Sequence, residues 1–285
     1  MKVYPLESEL DKSYILRINS VEETFPAHRH NFMEISYIME GKGTEIINGK
    51  DHLLKKGTFT LLLPYQIHEL HPEPGHPLKI FNCNIGLETF FGTNKFSEEL
   101  NKMIFDLTEN LPPYVYLTKE KAQRMESILD NMFEEYNRDL KWKDLIFKSK
   151  LIEAFVLFDR ERRIMQLKEK PREFKDFQNY KAYLWEVIFY IHNHYMDEIT
   201  LENLAKKFGV SVSHLSKTFK EYFSENIHSF LNDIRIKHAC GLLSSSNKQI
   251  TDIAAEVGFN SYPTFSRVFR NKQGISASEY RNKVQ

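Results

Sequence analysis

The 285 residues carry no net charge, 39 Lys+Arg balancing 39 Asp+Glu, and 41% of them are hydrophobic. That composition excludes a disordered or fibrous chain, and the length allows two domains, each with its own core. Cys83 and Cys240 are too few for a disulfide framework, and no apolar run reaches the roughly 18 residues of a membrane span. The opening Met-Lys-Val-Tyr-Pro lacks the apolar stretch of a signal peptide, so the expected location is the cytoplasm. Neutrality hides an asymmetry: residues 180–285 hold 13 Lys+Arg against 10 Asp+Glu, the remainder 26 against 29. With so small a surplus, the placement of the basic residues matters more than their number.

Along the chain, short apolar runs alternate with turn signals from about residue 13 to 87, the pattern of strands. Asn48-Gly49 between Ile47 and Lys50 is the clearest hairpin signal, because a type I′ turn needs positive φ at both central residues. Many short strands at this spacing predict a small antiparallel barrel or jelly roll. Residues 96–167 read as helical. Met125, Ile128, Leu129, Met132 and Tyr136 fall at helical spacing, as do Leu145, Ile146, Ile152, Phe155 and Val156. Such stripes pack internally or pair two copies of the chain, and a homodimer is expected. The polar segment 168–179, broken by Pro171, reads as a linker between a first domain, 1–167, and a helical second domain, 180–285.

The second domain contains a repeat. Leu201–Gly209 and Ile250–Gly258 match with Ala205 and Ala254, and Gly209 and Gly258, each 49 residues apart; Leu215–Phe219 and Phe265–Phe269 then match at an offset of 50. Each unit, about 201–223 and 250–272, has the chemistry of a helix-turn-helix. The small residue allows close helix approach, and the glycine ends the first helix in a left-handed turn. Ser211, and Asn260 or Ser261, can cap the second helix. With Leu215/Phe219 and Phe265/Phe269 buried, the opposite faces present Ser213, Ser216, Lys217 and Lys220 in one unit and Tyr262, Arg267 and Arg270 in the other. Basic side chains duplicated on two such faces point to phosphate and base-edge contacts with double-stranded DNA. A joining helix of about 16 residues, His228–Leu243, spans ~24 Å and sets the two units toward successive major grooves.

These residues resemble the arabinose-operon regulator (AraC/XylS) family. The resemblance covers about residues 183–282 and includes Ile191, His192, Leu204, Ala205, Leu215, Lys217, Phe219, Arg235, Ala239, Ile253, Gly258, Phe259, Phe265, Arg267, Phe269, Gly274 and Tyr280. It implies that Arg235 holds the fold rather than DNA. Ser224, Pro263, Thr264 and Ala277 depart from the family pattern, which puts base preference at the second unit in question. His28-Arg29-His30, Glu34, Gly41, Gly57, Pro64 and His68 resemble the cupin barrel, whose metal-binding members carry His-x-His, a Glu four residues on and a His on a second strand. Residues 28, 30 and 34 share parity, so on one strand they face one way. Gln66, an early His68 and Pro72 depart from the second cupin motif. The expectation is therefore no metal and no cofactor, with His28, His30, Glu34 and His68 as the set if one binds. Contact with an effector falls to His28, Arg29, His30, Glu34 and His68, and Phe25, Phe32, Tyr37 and Tyr65 are further pocket candidates.

The expected architecture is an all-β cupin-like barrel with appended helices followed by an all-α double helix-turn-helix. The expected function is a ligand-responsive transcription regulator and not an enzyme. By resemblance it is an activator of sugar or other catabolic genes, with a sugar as effector and RNA polymerase as partner. Two alternatives stay open: a metal-dependent cupin enzyme with an attached DNA-binding domain, and a DNA-binding regulator without a ligand.

Overall fold

The computed structural model describes residues 3–4, 14–90, 99–100, 102–104, 111–168 and 182–284. By its contacts the chain splits into two compact units, Met1–Ala182 and Tyr183–Gln285. The linker segment 168–179 lies outside the described residues, apart from Lys168 at the end of a helix.

Among the described residues the first unit has ten strands: β1 (Val3–Tyr4), β2 (Tyr14–Val21), β3 (Phe25–His30), β4 (Met33–Glu40), β5 (Lys42–Ile47), β6 (Lys50–Lys55), β7 (Thr58–Leu62), β8 (His68–Pro72), β9 (Leu78–Ile85) and β10 (Tyr114–Tyr116). They form two five-stranded sheets, β1-β3-β8-β5-β6 and β10-β7-β4-β9-β2, antiparallel except for the β1–β3 pair. Asn48 (φ 50°) and Gly49 (φ 83°) make the expected tight turn between β5 and β6. Two strands fall outside 13–87: β1, and β10, which pairs with β7 inside the stretch read as helical. Three residues carry too little periodicity for that strand to show in the sequence.

Helices α1 (Lys119–Asn137) and α2 (Lys143–Lys168) follow, after a short 3-10 helix at Leu87–Phe90. They cover one face of the second sheet: Phe59 meets Phe158 of α2 at 5.2 Å between ring centroids, and Phe81 meets Phe133 of α1 at 6.3 Å. Tyr37, in register with both Phe59 and Phe81, donates its hydroxyl to Glu126 of α1 at 2.9 Å. The alternate residues of the same strands, Glu34, Ser36, Thr60 and Asn82, face the other sheet. Covered on both sides, β4 is buried from Met33 through Ile38 and loses the half-exposed alternation of a surface strand.

The α1 stripe is internal at Met125, Ile128, Leu129 and Met132, with Tyr136 half-buried. In α2 the expected stripe needs correction: the buried face is Phe147, Leu151, Ala154, Phe155 and Phe158, whereas Leu145 and Ile146 are exposed. Positions 147, 151, 154/155 and 158 keep helical spacing along one face, and Phe155 is the member common to both readings.

The second unit holds α3 (Ala182–Asn193), α4 (Leu201–Lys207), α5 (Val212–Phe223), α6 (Ile227–Ser245), α7 (Ile250–Glu256), α8 (Tyr262–Gln273) and α9 (Ala277–Val284). Phe219, Phe223 and Phe230 pack around α5 and α6, and Phe259, Phe265, Phe269 and Tyr280 around α8. Arg235 reaches back from α6: its Nε donates to the Tyr195 carbonyl at 2.7 Å and its Nη2 to that of Asp197 at 2.8 Å, holding the α3–α4 connection. No helix among the described residues is long and apolar enough to cross a membrane.

Candidate nucleic-acid interface and barrel site

The α4–α5 and α7–α8 pairs are copies in detail. Phe208 and Val257 end the first helices, and Gly209 (φ 66°) and Gly258 (φ 91°) turn the chain. Ser211 accepts a hydrogen bond from the His214 amide at 3.2 Å, and Ser261 accepts one from the Thr264 amide at 3.4 Å, so Ser261 rather than Asn260 is the second cap. The second helices end alike in left-handed residues, Ser224 (φ 62°) and Gly274 (φ 74°). A serine tolerates that conformation less easily than glycine, which is the cost of the departure at 224.

Exposure repeats with the same offset of 50. On α5, Ser213, Lys217 and Lys220 are exposed and Ser216 is half-buried; on α8, Tyr262, Arg267 and Arg270 are exposed. Lys217 and Arg267 occupy equivalent places one turn before Lys220 and Arg270. Lys217 approaches Glu221 at 3.8 Å, a surface pair too loose to hold the ammonium. Two exposed residues at the helix starts, His214 and Thr264, were not counted among the exposed-face residues in the sequence. Aligning the copies at offset 50 would have found both, since each lies three residues after its cap. Pro263 sits in the first turn of α8, where its missing amide costs no internal bond. The joining helix α6 has 19 residues rather than about 16, a length of ~28 Å.

In the first unit, His28 and His30 lie on β3, Glu34 on β4 and His68 on β8. Parity on one strand therefore does not bring them together: the Asn31–Phe32 bend carries the chain from the first sheet to the second, and Glu34 comes back at His30 from the facing sheet. One ligand atom each from His30, Glu34 and His68 lies within 4.8 Å of the others, all three residues buried. His30 Nδ1 donates to the Phe32 carbonyl at 2.7 Å, which leaves Nε2 as the bare nitrogen, 3.4 Å from Glu34 Oε2. His28 is buried, but its Nδ1 donates to the Pro26 carbonyl at 2.9 Å. Arg29, at the intervening position of β3, is half-buried. Among the aromatic candidates, Phe32 stacks on His30 at 4.1 Å and Phe25 meets His28 edge-on while staying exposed. Tyr37 points to α1, and Tyr65 takes a left-handed φ of 65°, its amide donating to the His30 carbonyl.

A polar centre not expected from the sequence stands beside this set. Glu45 of β5 is 1% exposed and accepts from His52 Nε2 at 2.9 Å, His68 Nδ1 at 3.2 Å and Thr60 Oγ1 at 3.2 Å. Burial pushes its carboxyl up, but the hydrogen bonds from His52 and His68 outweigh it and hold the group down at about 2. The alternation Gly43, Glu45, Ile47 on an inward face was the available signal: a carboxylate there must have partners. Burial, reinforced by His68, lowers His28 to about 4 and His30 to about 3, so both are neutral imidazoles near pH 7. Burial raises the Glu34 carboxyl, whose Oε1 accepts from Asn82 at 3.1 Å. For the divalent ion of a cupin-type set the fit is thus partial: His30, Glu34 and His68 converge with bare nitrogens, and His28 stands outside.

Comparison with known proteins agrees with both units. The family model "AraC-like ligand binding domain" matches residues 13–149, and a "Helix-turn-helix domain" model matches residues 204–283. The transcriptional activator RhaS of Mannheimia succiniciproducens is 26% identical over 275 residues, 95% of this chain and 94% of its own. The transcriptional regulator YfiF of Bacillus subtilis, itself uncharacterised, is 24% identical over 90% of this chain and 78% of its own. Among solved structures, ToxT of Vibrio cholerae aligns over 96% of this chain and 99% of its own, with 14% identity and a TM-score of 0.40. With a ligand-binding domain matched ahead of a DNA-binding one, the chain belongs to the AraC/XylS family of transcription regulators.

Proposed function

We propose that α5 and α8 are the two helices that enter the DNA major groove, with Ser213, Ser216, Lys217 and Lys220 on one and Tyr262, Arg267 and Arg270 on the other making the contacts. The observation that carries this is the duplicated exposed face: the same cap, the same buried phenylalanine and a cation at the same place twice over. His214 and Thr264 join the set as polar groups at the helix starts, the part of a recognition helix that meets base edges. The ~28 Å of α6 suits two grooves about one helical turn apart on a single DNA face.

The β-domain senses a small-molecule effector through the side chains around His28, His30, Glu34 and His68. By analogy with the RhaS relatives, named as activators, the chain activates transcription together with RNA polymerase, and a sugar is the first effector class to test. It works in the cytoplasm, as a homodimer and without catalysis of its own. Leu140, Trp142, Leu145 and Ile146, exposed around the α1–α2 turn, form the apolar surface that a second copy covers.

The test begins by selecting preferred DNA from a random pool with the purified full chain. Lys217→Ala and Arg267→Ala are then titrated against that site. A lost base contact costs about 1–3 kcal/mol and relaxes preference at one position, whereas a lost phosphate contact weakens all sequences alike. If both variants bind as the parent does at physiological salt, α5 and α8 are not the reading helices. Thermal-shift screening of sugars identifies the effector, because a ligand specific to the native state raises the melting temperature.

A further inference from the structure

We propose that His30, Glu34 and His68 form a site for one divalent first-row transition-metal ion, with Glu45 as the carboxylate that orients His68 and with His28 outside the ligand set. The inference goes beyond the reading of the chain as a regulator and does not depend on it. It starts from two atoms: His30 Nε2 and His68 Nε2 are buried and have no hydrogen-bond partner among the described residues, on residues only 1% and 2% exposed. A buried polar atom without a partner is rare, and a bound ion is one of its standard explanations.

The partners of the other ring nitrogens decide where the lone pairs point. His30 Nδ1 must carry the hydrogen, because its partner is the Phe32 carbonyl. His68 Nδ1 must carry one too, because its partner is the Glu45 carboxylate. Both Nε2 lone pairs are then available, and together with a Glu34 oxygen they lie within a 4.8 Å span. This is the arrangement of metal-binding histidines in general, in which a carbonyl or carboxylate behind the ring fixes its orientation and raises its basicity. Glu45 is itself held from behind by His52 and Thr60, so it cannot turn away from His68. His52 is pinned in turn by stacking on Tyr114, with ring centroids 3.9 Å apart and the planes 4° from parallel.

Two imidazoles and one carboxylate select ions of the zinc, iron, cobalt and nickel kind over magnesium or calcium, which prefer oxygen alone. The ligands come from β3 and β8 of one sheet and β4 of the other. A bound ion therefore fastens the two sheets to each other in the middle of the effector domain. Asn82, donating to Glu34 Oε1, keeps the second carboxylate oxygen occupied and directs the remaining one at the histidines.

The experiment uses the full-length chain, stripped with a chelator and titrated with zinc in a calorimeter and with cobalt in a visible spectrometer. Expected are one ion per chain, a cobalt spectrum of low coordination number and a higher melting temperature with zinc. Glu34→Gln, His30→Ala and His68→Ala should each abolish the cobalt spectrum. His28→Ala should keep both the stoichiometry and the spectrum, and Glu45→Gln should keep the stoichiometry while weakening affinity about 10- to 100-fold. Circular dichroism of each variant verifies that the β-domain is intact, and the conservative Glu34→Gln is the deciding variant if an alanine fails to fold. Absence of zinc binding by the parent at millimolar concentration overturns the site, as does equal affinity in Glu34→Gln. Loss of binding in His28→Ala overturns the three-residue ligand set, and unchanged affinity in Glu45→Gln overturns the role of Glu45.

Discussion

Lys272 Nζ of α8 lies 2.5 Å from Asp233 Oδ1 of α6 and 3.3 Å from the Ser229 hydroxyl, so the last turn of α8 is tied to the helix that joins the two helix-turn-helix pairs. Glu225, just beyond α5, shares the same Ser229: burial and the Asp233 charge raise its carboxyl, and Ser229 and Lys272 oppose the rise. The ends of α5 and α8 thus meet at one polar node on α6.

Asp233→Ala gives this node a sign test. Removing an acidic group from a DNA-binding surface ordinarily strengthens binding, because it removes repulsion from phosphate and frees a lysine. If the pair positions α8, the variant instead binds a two-groove site more weakly, by about fivefold or less given the limited worth of a part-exposed pair. Affinity for a site matching α5 alone should hold. Tighter binding to the two-groove site would show that Lys272 is a DNA contact awaiting release.

Gly258 and Gly209 are equivalent in sequence but not in surroundings. A Cβ at 258 would lie 2.8 Å from the Met196 carbonyl oxygen and 2.9 Å from that of Tyr195, on the same α3–α4 connection that Arg235 holds; at 209 it meets nothing within 4 Å among the described residues. Gly209→Ala should cost only the left-handed backbone, ~1–2 kcal/mol. Gly258→Ala adds a backbone clash and should cost clearly more, as read from urea unfolding of the second unit. Equal losses would mean that the connection moves freely aside.

His192 of α3 is buried beside Phe230. Desolvation, then the charges of Lys237 and His238, lower its pKa well below the usual imidazole value. The folded unit keeps it neutral while the unfolded chain takes up a proton below about pH 6.5. This contribution is therefore complete above pH 6.5 and is lost on acidification, at up to ~1.4 kcal/mol per pH unit. His192→Gln should flatten the stability profile between pH 6.5 and 5 by about one proton. Trp185, packed edge-on against Phe223, reports on this unit in a Trp142→Phe background. An unchanged slope would place the acid sensitivity elsewhere.

Trp142 is 64% exposed and Leu145 60% exposed at the start of α2. The double variant Trp142→Glu, Leu145→Glu should shift the full chain from dimer to monomer in light scattering at micromolar concentration. Neither side chain supports the core, so the melting temperature of the diluted protein should change little. A parent that is already monomeric, or a double variant that stays dimeric, removes this surface from the dimer.

The sequence alone determined the class of each unit. The duplicated Ala-x-x-x-Gly segments, caps and phenylalanines are local features with fixed spacing, so the helix-turn-helix pair was legible together with Lys217, Lys220, Arg267 and Arg270 as its exposed cations. The Asn48-Gly49 turn was legible for the same reason, since its backbone demand is met within two residues. Tertiary structure decided what depends on facing surfaces. Leu145 and Ile146 look as apolar as Phe147 and Leu151, and only packing against the sheet separates them. His28, His30 and Glu34 share parity in the sequence, yet the bend at Asn31–Phe32 sends them to opposite sheets, leaves His28 aside and brings in His68. Glu45 and His52 went unnoticed because a buried charge is intelligible only beside the partners that desolvation requires of it, and Thr60 and His68 come from strands far along the chain.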